Sequence, residues 1–133
     1  MEITDLYDLA EEHGYSVFVH SLPVTQSLSL ENGCIGLDFN LHGTAEKEHL
    51  AHELGHCEYG GLYNRYSQYD VREKSERRAN KWAYMKLVPI GDLRQAVRDG
   101  CREPWDLAER FGVSCQFMCY ACAKCGFQHE YDK

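Results

Sequence analysis

Near the middle of the chain stands His52-Glu53-Leu54-Gly55-His56, five residues whose types and spacing suit metal-assisted hydrolysis. Four residues turn a helix only about 40° past a full circle, so His52 and His56 share one face. Their imidazoles can converge on a single ion. Glu53, beside them, is placed to take a proton from a water activated there. Three fixed letters recur by chance in unrelated chains, so the chemistry depends on a third ligand from elsewhere.

A catalytic zinc takes three protein ligands and keeps one position open for water. The charged stretch Arg72-Glu73-Lys74-Ser75-Glu76-Arg77-Arg78 offers two candidates, Glu73 and Glu76, one helical turn apart. Residue type does not separate them, and a carboxylate on such a stretch is ordinarily solvated surface. Asn80, one turn beyond Glu76, could accept the free N–H of a ligating histidine and so set its tautomer. Ala79 and Ala83 are small enough to let this helix approach the first. His49, one turn before His52, reads as a helix-face residue, because a fourth protein ligand would close the site.

These residues need elements to hold them. Ile3, Leu6, Leu9 and Ala10 recur at helical spacing over residues 2–13, and Gly14 is a stop. Three β-rich runs follow, Tyr15 to His20, Gln26 to Leu30 and Cys34 to Leu41. Leu22-Pro23 breaks the first pair, and Asn32-Gly33 signals a tight hairpin between the second and third. A small antiparallel three-stranded sheet is expected. Thr44 is the expected N-cap of a helix from Ala45 to Cys57, with Glu46 and Glu48 in its first turns and Gly60-Gly61 at its end. Further helices are expected over Val71 to Val88, Ile90 to Arg98, Pro104 to Phe111, and from a Ser114 cap to Lys124. The fold class is therefore α+β, with a three-stranded sheet packed against five to six helices. A chain of 133 residues forms one domain with one modest core. Within it, residues 1–43 make the first helix and sheet, 44–89 the two site helices, and 90–133 the C-terminal helices with a cysteine-rich end.

Composition narrows the function. Lys and Arg number 14 and Asp and Glu 21, a formal charge of −7, which repels phosphate backbones and argues against direct nucleic-acid binding. No apolar run approaches the roughly 20 residues of a membrane span, and the polar start lacks the pattern of a signal peptide. The cytoplasm is the expected location, with no membrane partner. The sequence carries no signal of oligomeric state. Seven cysteines, an odd number in such a chain, argue for reduced thiols rather than a disulfide framework. Cys115, Cys119, Cys122 and Cys125 could hold a second zinc, with His129 as a further ligand. The favoured reading is a helix with Cys115, Cys119 and Cys122 as small buried hydrophobes on one face. Tyr59, Tyr63, Tyr66 and Tyr69 are expected to line the cleft, where a hydroxyl could stabilise an oxyanion.

The string Glu76-Arg77-Arg78-Ala79-Asn80-Lys81-Trp82-Ala83, running on to Leu87-Val88-Pro89, resembles the E-x-x-A-N-x-F-A … L-L-M-P segment of the ImmA/IrrE family of metallopeptidases. His49-Leu50-Ala51-His52-Glu53-Leu54-Gly55-His56 resembles the LAHELGH of the same family. The order of elements is similar to about residue 118. Met85-Lys86 departs, standing where paired apolar residues are usual, and the C-terminal cysteines have no counterpart. The resemblance implies a zincin-like core with zinc on His52, His56 and Glu76, Glu76 rather than Glu73, and Glu53 as catalytic base. This is the His-His-Glu arrangement of thermolysin-type enzymes. It also implies a protein substrate, a helix-turn-helix transcriptional repressor in a prophage, mobile element or stress regulon. The rival is a metal-binding regulator that controls a repressor by binding alone, and an intact Glu53 argues against it.

Overall fold

The computed structural model describes residues 1–30, 32–59 and 68–124, side chains to residue 123. In chain order these form α1 (Ile3–Glu12), β1 (Ser16–His20), β2 (Ser27–Ser29), β3 (Cys34–Asp38), α2 (Gly43–Tyr59), α3 (Tyr69–Leu87), α4 (Ile90–Arg98), α5 (Pro104–Phe111) and α6 (Cys115–Lys124). The fold is α+β, as the sequence pattern predicts.

The sheet is mixed, which corrects the expectation of a wholly antiparallel one. Its order is β1-β3-β2. β2 pairs with β3 antiparallel, with Leu28 opposite Gly36. β1 pairs with β3 parallel, from Ser16 opposite Cys34 to His20 opposite Asp38. The reason lies in the link between β1 and β2. Instead of folding back on β1, it crosses the end of β3: Leu22 N–H donates to Asp38 Oδ1 at 2.9 Å, and Asp38 N–H to Gln26 O at 2.8 Å. β2 therefore starts on the far side of β3, and the hairpin returns the chain up the middle.

One core joins every layer. Leu6 of α1, Ile35 and Leu37 of β3, Leu50 and Leu54 of α2, Leu87 of α3, Leu93 of α4 and Met118 of α6 are all at most 1 % exposed. Each such side chain contributes about 1.5–3 kcal/mol by leaving water. α2 packs most extensively on α3. The crossing is tight because Gly55 faces Ala79: a Cβ at residue 55 would lie 2.6 Å from the Ala79 carbonyl oxygen. Ala79, one of the small residues expected at this crossing, thus meets α2 directly.

The start of α2 holds the C-terminal corner. Lys47 is 6 % exposed, and its ammonium donates to Phe111 O at 2.9 Å and Gly112 O at 3.2 Å. It neutralises the carbonyl end of α5, where Gly112 (φ 67°) closes the helix in the left-handed region. The next residue, Glu48, accepts from Ser114 N–H at 2.7 Å and Ser114 Oγ–H at 3.1 Å. Ser114 Oγ in turn accepts from Phe117 N–H at 3.1 Å, the cap expected for α6. Two consecutive residues of α2 thereby hold the end of one helix and the start of the next.

Candidate metal centre

α2 and α3 bring His52, His56 and Glu76 together. His52 Nε2 lies 2.9 Å from Glu76 Oε2, and His56 Nε2 lies 3.1 Å from Glu76 Oε1. All three donor atoms fall within 4.8 Å of one another, and among the described residues no other cluster of potential ligands does so. Glu73, on the same helix, is not in the cluster. The histidine rings meet edge to face, 4.8 Å between centroids.

The far side of each ring is also engaged. His52 Nδ1 lies 2.7 Å from Asn80 Oδ1, and His56 Nδ1 lies 3.2 Å from Ser75 Oγ. An amide oxygen only accepts, so the His52 proton sits on Nδ1 and the neutral ring offers a lone pair from Nε2. A lone pair facing a carboxylate at 2.9 Å is repulsive unless a positive charge stands between them. Either a proton or a cation must supply it. Burial, the largest single influence, pushes the His52 imidazole down. The Glu76 hydrogen bond, the Glu53 and Glu76 charges and the Asn80 contact together outweigh it, holding the imidazole above its ordinary value.

The donor set fits zinc. Ligand atoms about 2.0–2.2 Å from a tetrahedral ion lie roughly 3.3–3.5 Å apart, a little wider than the 2.9 and 3.1 Å between these donors. Two imidazoles and one carboxylate make a three-ligand set that leaves a position open. Glu76 is 38 % exposed and faces a cleft of about 640 Å³, which is also lined by Glu53, Ser27, Tyr84 and Phe117.

Glu53 is buried at 5 % exposure, on the wall of this cleft. Its Oε2 accepts from the Ser27 hydroxyl at 2.6 Å. The same hydroxyl lies 3.0 Å from His49 Nδ1. Burial pushes the His49 imidazole below its ordinary value. His49 lies outside the metal cluster, with its Nδ1 turned towards Ser27 of β2.

Several contributors carried no signal in the sequence. Ser75 differs in no way from an ordinary helix serine. Ser27 sits in a three-residue strand whose partners are 22 and 26 positions away. Tyr84 stacks edge to face with Phe117, 5.1 Å between centroids, and both line the cleft. Of the tyrosines expected there, Tyr59 and Tyr69 are 50 % and 72 % exposed and are not part of the lining, while Tyr63 and Tyr66 lie outside the described residues.

The cysteine reading is corrected in part. Cys115 and Cys119 are exposed rather than buried, and only Cys122 packs against the core. Met118 and Ala121, three apart, take the inward face of α6 instead. Cys125 lies outside the described residues, and among those described no cysteine joins a metal-holding group.

The profile of the Peptidase_M78 family, described as the IrrE N-terminal-like domain, matches residues 10–123. Among solved structures, a Mycobacterium tuberculosis transcriptional regulator is similar to 88 % of this chain, with a TM-score of 0.71 and 19 % identity. The chain spans 39 % of that regulator's length, and at such identity the likeness is one of fold. No protein of curated function matches the sequence.

Proposed function

The chain belongs to the Peptidase_M78 family of IrrE N-terminal-like domains, and from that premise we propose that it is a zinc-dependent endopeptidase cutting a helix-turn-helix transcriptional repressor at a limited site. The observation that carries the reading is the convergence of His52, His56 and Glu76 on an open cleft that Glu53 also lines. His52, His56 and Glu76 would hold the ion. A zinc ion bound there supplies Lewis acidity to a substrate carbonyl and lowers the pKa of water. Asn80 and Ser75 keep both rings turned with Nε2 inward. Glu53 takes the proton of the attacking water and returns it to the leaving amine. Burial of its carboxylate keeps bulk water from competing for that proton.

The choice of a repressor rests on two supports: the family resemblance of the HExxH and Glu76 segments, and a structural neighbour that is a transcriptional regulator. Prophages, mobile elements and stress regulons are the settings this implies. The test is incubation of the zinc-loaded protein with each helix-turn-helix repressor found in its source genome, genes adjacent to its own first, followed by intact-mass spectrometry. Two fragments from the parent and none from Glu53→Gln are expected. Release of an intact repressor by both proteins would instead favour control by binding alone.

A further inference from the structure

Glu53 is tethered from outside its own helix, and the tether has a direction. The Ser27 hydroxyl has a single proton, and its 2.6 Å contact with Glu53 Oε2 uses it, because a carboxylate only accepts. The 3.0 Å contact with His49 must then run the other way, with His49 Nδ1–H donating to Ser27 Oγ. Three side chains form one ordered line: His49 Nδ1–H to Ser27 Oγ–H to Glu53 Oε2. His49 and Glu53 are four apart on α2, stacked on one helical face. Ser27 comes from β2 on the facing wall and is 8 % exposed. The hydroxyl is thus pinned from both sides where water has little access.

We propose that Ser27, oriented by His49, is a positioning residue for Glu53: it occupies Oε2 and thereby presents Oε1 to the water and substrate in the cleft. This rests on the reading of Glu53 as the base. A carboxylate on a two-torsion stem otherwise samples orientations in which neither oxygen meets the attacking water. A hydrogen bond to a charged acceptor in a buried site suffices to hold one. β2 acquires a role beyond packing, since its first residue sets the aim of a group on α2. His49 gains a role compatible with its absence from the metal cluster.

The test uses the zinc-loaded protein and the member of a quenched-fluorescence peptide library that it cuts fastest. Ser27→Ala and the nearly isosteric Ser27→Cys, a weak donor, are expected to lower kcat on the order of 10- to 100-fold, with KM and zinc content unchanged. Ser27→Thr, which keeps the hydroxyl, is expected to restore most of the loss. Because the line acts as a unit, Ser27→Ala combined with His49→Ala should be little slower than Ser27→Ala alone. A second readout needs no activity: nitrogen-15 spectra of the metal-free protein should show His49 protonated on Nδ1, a signature that Ser27→Ala displaces. If the parent cuts and Glu53→Gln does not, yet both Ser27→Ala and Ser27→Cys keep full kcat, the positioning role is overturned while the peptidase reading stands. Should the parent cut no peptide and no repressor, the peptidase reading fails and takes this role with it.

Discussion

At the scale of single residues, the proposed site depends on groups outside the set that would hold an ion. Asn80 holds His52 by a 2.7 Å contact, so Asn80→Ala should weaken zinc binding about 10- to 100-fold, measured by competition with a chromophoric chelator. Glu53→Gln, in contrast, should leave zinc affinity near the parent's while lowering kcat on the order of 10²- to 10⁴-fold. Cys57 offers a check on the electrostatics next to the site. Burial first, then the charges of Glu53 and Glu58, push its thiol up to about 11. A raised thiol pKa means less thiolate at a given pH, so alkylation of Cys57 should rise about tenfold per pH unit from 7 to 10. The exposed Cys115 and Cys119 should react first, as peptide mapping after iodoacetamide treatment would show. The HExxH residues were legible because helical spacing alone places two imidazoles together. Glu76 and Glu73 were not separable by residue type, since three positions along a helix leave both near one face. Ser27 was illegible for a different reason: its partners are set by how a strand docks on a helix.

At the scale of elements, the α2–α3 crossing decides whether the ligands meet at all. Gly55→Ala would place a methyl 2.6 Å from a backbone oxygen, which no side-chain rotation relieves. It should cost about 1–3 kcal/mol in urea denaturation and weaken zinc binding by prising the helices apart. Gly91→Ala is the control: nothing lies within 4 Å of its Cβ, so stability should hold or rise by about 0.5–1 kcal/mol. The limits of α4 and α5 were readable because Pro89 and Pro104 act locally through fixed φ, whereas α2 starts at Gly43, ahead of the expected Thr44 cap, and runs on to Tyr59. The parallel pairing of β1 was not readable, because alternation along a strand is the same for either direction of its neighbour. Cysteine spacing on α6 likewise revealed a shared face without saying which way it turns, and the competing pair Met118 and Ala121 took the inward side.

At the scale of the whole molecule, the apolar core is continuous from Leu6 of α1 to Ala121 of α6, and it lends Ala83 and Tyr84 to the wall of the site cleft. The elements that carry His52, His56 and Glu76 are held to it by apolar side chains such as Leu50, Leu54 and Leu87. Removal of zinc with a chelator should therefore leave the helical circular dichroism at 25 °C nearly intact. The melting temperature should still fall by several degrees, since an ion at 100 times its Kd stabilises by about 2.7 kcal/mol. Loss of the helical signal on chelation would identify a structural ion instead. The grip of Lys47 and Glu48 on the α5–α6 corner has a consequence for insertion scanning. It anchors α2 only four residues ahead of His52, so the rotational phase of the motif is counted from that anchor. One residue inserted between Glu48 and His52 would swing both imidazoles about 100° away from Glu76. An insertion of four would miss by only about 40°. Zinc affinity across such a series should rise and fall with the helical repeat.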